Sequence, residues 1–477
     1  MNDTSDKEAG HSQWKGSPIS KLSPELLTHI LDFTRNEFPD DTEHDKDFRR
    51  RIATMATQVS RFWRDVALDH HLWWTELTIY HPWNIEAVDT YLKRSQQCLL
   101  DLRVLTTTPL RKRPRGYTLL PPSEDDCLDL LKIIFPHFHR CRFLELNEIF
   151  RRMETHKEVF GYLDQLLSAP FPHLERFTFA DDLRAYRAYT NGVKRPFLSP
   201  SLAPSLRDLR LIGYSLDAIH LPSSTITTLH LSKRTYGEIS YANLVEELQT
   251  CQNLTELAIY NDVLNLLESY PDYIRCRLPS LKTLLLLGNM DMVSELLVSL
   301  DTPNLEELVV APAAGLPDFQ LYREMKDTSR VVQPPFPNLR RLILAPKGPT
   351  EFTEVMECAS GAFPLIEQLT LANLYPGEFV SAFTSNNPLL FPKMVDLALT
   401  DVDATIADAL YSIGAFRLAE GIPLRNFILD SDSFRRVSGH FSEGTPHFQL
   451  QDGNPWEDRR KTLLDKDVKD LYLGRRQ

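Results

Sequence analysis

Apolar residues recur along this chain with two different periods. Near the start, Leu26, Leu27, Ile30 and Leu31 fall at helical spacing on one side, and Val59, Phe62, Trp63, Val66 and Ala67 repeat the pattern further on. Pro24 suits the first turn of a helix, where its missing N–H costs nothing, and Ser23 before it is a suitable N-cap. The spacing predicts two amphipathic helical pieces in residues 17–76, separated by a charged insert, NEFPDDTEHDKDFRRR, at residues 36–51. Trp63, Trp73 and Trp74 mark the second piece. So many large apolar side chains in so short a stretch make a small core and leave apolar surface over, which is the signature of a docking face.

The second period is two, and it comes in instalments. A phrase close to P-x-L-x-x-L-x-L appears as PHLERFTF (172–179), PSLRDLRL (204–211), QNLTELAI (252–259), PSLKTLLL (279–286), PNLEELVV (303–310) and PNLRRLIL (337–344). It continues as PLIEQLTL (364–371), PKMVDLAL (392–399) and IPLRNFIL (422–429), with weaker copies at CRFLEL (141–146) and ITTLHL (226–231). The segments WTELTI (74–79) and LLDLRV (99–104) are candidate first copies. Spacings run from 20 residues (Leu206 to Ile226) to 34 (Leu305 to Leu339), with 27 from Leu254 to Leu281 and 24 from Leu281 to Leu305.

Each phrase ends in a short strand whose alternating Leu side chains point one way. A single strand with its return segment cannot bury that face, so the copies must stack into one parallel sheet with a shared core. The intervening YANLVEELQT (241–250), MVSELLVSL (292–300) and EFVSAFTS (378–385) suit helices. Pro recurs just before the phrase, where it ends a helix and sets an extended entry. The fold class is therefore α/β: an N-terminal helical domain, then a leucine-rich-repeat solenoid with parallel strands on one side and helices on the other. The Asn or Cys that regular repeats place after the second Leu is not kept, which predicts an irregular array. The expected boundaries are a disordered 1–16, the helical domain at 17–76, the array at 77–452 and a helical cap at 453–477. That cap, with Trp456, Leu463, Leu464, Val468 and Leu471 on one stripe, would cover the last strand.

Composition narrows the class without changing the picture. With 53 Lys and Arg against 65 Asp and Glu, the net charge of −12 argues against a general nucleic-acid binder. Six scattered cysteines without a C-x-x-C pair point to reduced thiols in a cytosolic or nuclear setting rather than a zinc site. The polar first residues lack the apolar core of a secretory signal, and no apolar run reaches the length of a membrane span.

The stretch from Leu22 to Trp73 resembles an F-box. That family's pattern is Leu-Pro-x-Glu-Leu-Leu-x-x-Ile, then Val-Cys-x-x-Trp, then Leu-Trp. Here it reads Leu22-Ser23-Pro24-Glu25-Leu26-Leu27-Thr28-His29-Ile30, then Val59-Ser60-Arg61-Phe62-Trp63, then Leu72-Trp73. Ser60 stands where the family usually has Cys, and the insert between the two helical pieces is longer than usual. An F-box followed by irregular leucine-rich repeats is similar to the F-box proteins abundant in fungi, especially mushroom-forming ones. The resemblance implies a three-helix module that docks on a Skp-type adaptor and, through it, on the cullin and RING subunits of a ubiquitin ligase. Leu22, Pro24, Leu26, Leu27, Ile30, Val59 and Trp63 would form or directly support the adaptor face. The repeats would capture an unidentified target protein, and the chain itself would be no enzyme. The alternative is a scaffold that pairs with the adaptor outside any ligase.

Candidate chemistry is sparse. Arg111-Lys112-Arg113-Pro114-Arg115 is a basic loop that reads as solvated rather than as a nuclear-import or phosphate site. His137 with His139, and His70 with His71, lack a third ligand at matching spacing, so neither a metal nor a cofactor is expected. No phosphate-cradling, nucleophile-elbow or zinc-protease motif occurs. The middle residue of each x-L-x-L strand points to the sheet's other face. Thr178, Arg210 and His230 make that face polar in early repeats, whereas Leu285, Val309 and Ile343 make it apolar in three successive ones. That stripe, flanked by Glu256, Glu307 and Arg341, is the candidate target-binding surface, unless the insertion at 311–335 or the tail folds over it.

Overall fold

The computed structural model describes residues 22–36, 52–106, 122–147, 149, 157–180, 193, 195–196, 198–213, 219–222, 224–232, 239–260, 264–265, 276–288, 290–313, 336–346, 352–372, 376–385, 389–440 and 448–453. The expected disordered start, most of the insert after Asn36, the basic cluster at 111–115, most of the 311–335 insertion and the C-terminal helix lie outside them. The chain divides into two compact units, Met1–Ile149 and Phe150–Gln477.

The first unit begins with helix α1 (Pro24–Asn36). The Leu26 N–H donates to Ser23 Oγ at 3.3 Å, so the serine before the proline caps the first turn. Helix α2 spans 52–59, and α3 (Arg61–Asp69) follows at once. Ser60 separates them: its side chain accepts the Trp63 N–H at 3.2 Å, a capping role that a cysteine fills poorly. A 3-10 turn (His71–Trp74) then brings Trp73 and Trp74 into a core of Leu27, Leu31, Ile52, Ala53, Ala56, Val66 and Ala67. Both indoles find acceptors. Trp74 Nε1 donates to Ala67 O at 2.8 Å, and Trp73 Nε1 to Asp32 Oδ1 at 2.6 Å, which ties the turn back to α1.

Three parallel strands complete this unit: β1 (Glu76–Tyr80), β2 (Leu100–Leu105) and β3 (Cys141–Asn147). They coincide with the WTELTI, LLDLRV and CRFLEL copies. Helix α4 (Ile85–Arg94), capped by Asn84, connects the first two, and α5 (Glu124–Ile134), opened by a Ser123–Asp126 capping box, lies between the second and third. Buried Arg140 donates to Leu92 O, Cys98 O and Ser95 Oγ at 2.9–3.0 Å and so closes the end of α4.

In the second unit, eleven described strands pair in parallel with their neighbours in sequence. They are β4 (Arg176–Ala180), β5 (Asp208–Ile212), β6 (Thr228–Ser232), β7 (Glu256–Tyr260), β8 (Thr283–Leu287) and β9 (Glu307–Ala313). Then come β10 (Arg341–Pro346), β11 (Gln368–Leu371), β12 (Asp396–Leu399), β13 (Asn426–Leu429) and β14 (Gln449–Asp452). Helix α6 (Lys157–Ser168) precedes β4. Helices α7 (Tyr241–Thr250), α8 (Met290–Ser299), α9 (Phe352–Ala362), α10 (Pro376–Phe383), α11 (Ile406–Ala419) and α12 (Ser431–Val437) occupy the later crossovers. A parallel pair requires such a crossover, because a hairpin cannot reverse the chain twice.

The repeat phrase explains the core position by position. Its first apolar residues (Leu206, Leu254, Leu281, Leu305 and Leu339 among them) are at most 3% exposed, and both strand positions that follow are as deeply buried, as in Leu257 and Ile259 or Leu284 and Leu286. The turn into each strand repeats its hydrogen bonds as well. The Lys282 and Thr283 N–H groups both donate to Thr255 O at 2.9 and 3.0 Å, and the Glu306 and Glu307 N–H groups do the same to Lys282 O. The variable residue of P-x-L adds a side-chain link. Asn304 Nδ2 donates to Pro279 O at 2.8 Å and Asn338 Nδ2 to Pro303 O at 2.9 Å, each reaching the preceding repeat.

Where the Asn of regular repeats is missing, buried helix side chains hold the turns. Glu247 on α7 accepts the Leu221 N–H, Ser360 on α9 accepts the Phe391 N–H, and Arg417 on α11 donates to three carbonyls between Leu390 and Met394. Burial pulls the Arg417 pKa down to about 10.

Strand β14 carries no repeat phrase and extends the sheet past β13. Phe448, just before it, packs edge-on against Phe427 at 4.4 Å between ring centroids. It also lies over Gly414, where a Cβ would stand 2.9 Å from the ring.

Candidate functional site: two apolar stripes with opposite fates

Helix α1 presents two apolar stripes. Leu27 and Leu31 face the core at 0% and 7% exposure. Leu26, Ile30 and Phe33, at i, i+4 and i+7, are 53%, 46% and 64% exposed. Met55 and Val59 on α2 and Leu72 in the 3-10 turn are exposed too. Six of the ten exposed large apolar side chains among the described residues thus fall between residues 26 and 72, so apolar surface is concentrated on this module. A shallow recess on α1 is lined by Leu26, His29, Ile30, Asp32, Phe33 and Thr34.

The seven expected docking residues sort accordingly. Pro24, Leu26, Ile30 and Val59 are exposed; Leu22 and Trp63 are half-buried, Trp63 against the helical core. Leu27, with no exposed surface, falls among the residues that would support the face from behind α1 rather than form it. Phe33 belongs with the exposed set and was legible at i+7 from Leu26. Met55 carried no comparable signal, and Leu72 stood out only through the Leu-Trp motif, because their exposure depends on how α2 and the turn are placed.

The strand face of the second unit departs from expectation. Leu285, Val309 and Ile343 are indeed aligned neighbours across β8, β9 and β10. They are not exposed: their exposures are 0%, 0% and 2%. With Ala258, Tyr260, Leu287, Ala311, Ala345 and Ala372 they form a second apolar cluster. The reason is compositional. The strands ELAIY, TLLLL and RLILA are apolar at consecutive positions, which marks a parallel sheet buried on both faces. The flanking groups are committed as well. Glu307, buried, pairs with Arg341 Nε at 3.2 Å, and Glu256 binds His230. As the structure stands, this stripe is no open binding surface.

In the early repeats the same face holds a polar network. Asp208 takes Arg210 through two bonds at 3.0 and 3.1 Å and Arg176 at 2.5 Å. His230 has no exposed surface and uses both nitrogens: Nε2–H donates to Glu256 Oε1 and Nδ1 accepts from the Tyr260 hydroxyl, each at 3.1 Å. Burial holds the His230 pKa below the usual value, although the Glu256 bond pulls it partly back. For Arg210, burial alone would lower the pKa; the Asp208 bonds and charge reverse that and leave it raised. The Tyr–His–Glu order is that of a proton relay, but His230 and Tyr260 are sealed from solvent. The network therefore acts as a satisfied polar core that fixes strand register.

Burial pushes the Cys141 and Cys276 thiols up to about 12 and Cys251 up to about 11, the opposite of a reactive thiolate. Among the described residues, no three His, Cys, Asp or Glu side chains are grouped to hold a metal, and no helix is long and apolar enough to cross a membrane.

No known family's sequence profile matches the chain, and no curated protein matches it. Among solved structures, the crystal structure of a Bacteroides fragilis protein aligns with a TM-score of 0.31 and 13% identity, over 61% of this chain and 69% of that one. A likeness so slight carries no argument about fold or function.

Proposed function

We propose that the chain is a substrate-recognition subunit of a cullin–RING ubiquitin ligase, docking on a Skp-type adaptor through its N-terminal helices and holding a target protein through its repeats. The exposed stripe Leu26–Ile30–Phe33, with Met55, Val59 and Leu72 on the same module, is the observation that supports this reading. The F-box resemblance supplies the partner. The chain contributes proximity, turning ubiquitin transfer to a bound target into an effectively unimolecular step, while the chemistry belongs to other subunits. Its setting is the cytosol or the nucleus, and it needs no cofactor.

The test is co-purification. The full chain should bring down a Skp-type adaptor together with cullin and RING subunits. A Leu26→Asp, Ile30→Asp variant, altered only at exposed positions, should stay folded and lose all three. Adaptor recovered without cullin would favour the scaffold reading. Undiminished adaptor binding by the variant would sink the assignment of the docking face.

A further inference from the structure

We draw no further inference here: the strongest candidate, the apolar strand face built from Leu285, Val309 and Ile343 on β8–β10, is buried, and nothing among the described residues shows what covers it.

Discussion

The α1 stripe and the β8–β10 stripe are alike as sequence and opposite as structure. Each is a run of large apolar side chains beyond those a single apolar face requires. On α1 the surplus residues Leu26, Ile30 and Phe33 stay in solvent; on the strands Leu285, Val309 and Ile343 are sealed. The difference lies in what surrounds each stripe. Behind α1 stands a core of small extent, completed by Leu27, Leu31 and the two indoles, which covers only one side of the helix. The strand stripe runs on into Tyr260, Leu287, Ala311, Ala345 and Ala372, so that a continuous stretch of the sheet face from β7 to the end of β11 is apolar. At ~25 cal/mol per Å², a continuous surface of that size is too costly to leave wet. Periodicity tells which residues share a face; the extent of the apolar area tells whether that face is covered.

The sharpest way to break this contrast is to place a carboxylate on each stripe. Leu285→Asp should destabilise the second unit by more than about 3 kcal/mol, since an aspartate there would be buried without a partner. Leu26→Asp, on the exposed stripe, should change stability by less than about 0.5 kcal/mol. Urea unfolding of both variants decides it. A mild effect at Leu285 would mean that the face opens readily and would restore it as a binding surface.

A gentler pair makes the same comparison within one helix. Leu27→Ala should cost about 2–5 kcal/mol of stability by leaving a cavity in the helical core. Ile30→Ala should leave the melting curve in place, yet weaken adaptor binding by about 2 kcal/mol if it anchors that contact. Equal stability losses for the two would show that α1 has no free side.

Much of this architecture was legible. The helical spacing around Leu26 and the phrase P-x-L-x-x-L-x-L placed α1 and strands β1–β13, because both patterns follow directly from which side chains must meet. YANLVEELQT, read as a helix, is helix α7 residue for residue. What escaped reading depends on partners distant in sequence. Strand β14, with the polar sequence QLQD, is a strand only because β13 offers it an edge. The roles of Glu247, Ser360 and Arg417 follow from the turns they meet 23 to 31 residues away. The burial of Ile343 was within reach in principle, since two apolar faces are written in RLILA.

The polar end of the strand face offers a pH test of the same closure. His230 sits against Arg210 and Asp208 from β5 and Glu256 and Tyr260 from β7. Its folded pKa is depressed, so folding opposes its protonation. The stability tied to the neutral ring is fully present above the unfolded value, about 6.5, and is lost as pH falls from there toward the lowered folded pKa. Urea midpoints measured at pH 7.5 and 5.5 should drop for the wild type and drop less for His230→Gln, which has no proton to take up. Equal drops would show that the ring is reached by solvent and that the face is open at this end.

The smallest effect is expected at a part of the repeats that is both regular and exposed. If burial of two faces holds the repeats together, the asparagine links at the strand entry should matter little. Asn304 reaches Pro279 O across the repeat boundary from an exposed position, where water replaces a lost bond readily. Asn304→Ala should therefore cost only about 0.5–1 kcal/mol, against about 2–5 for Leu305→Ala one residue on, whose side chain has no exposed surface. Chemical denaturation of the two variants side by side gives the ratio. Comparable losses would shift the weight of repeat cohesion from the buried faces to the hydrogen-bonded edge, and the covered stripe would no longer be needed to explain why the array holds.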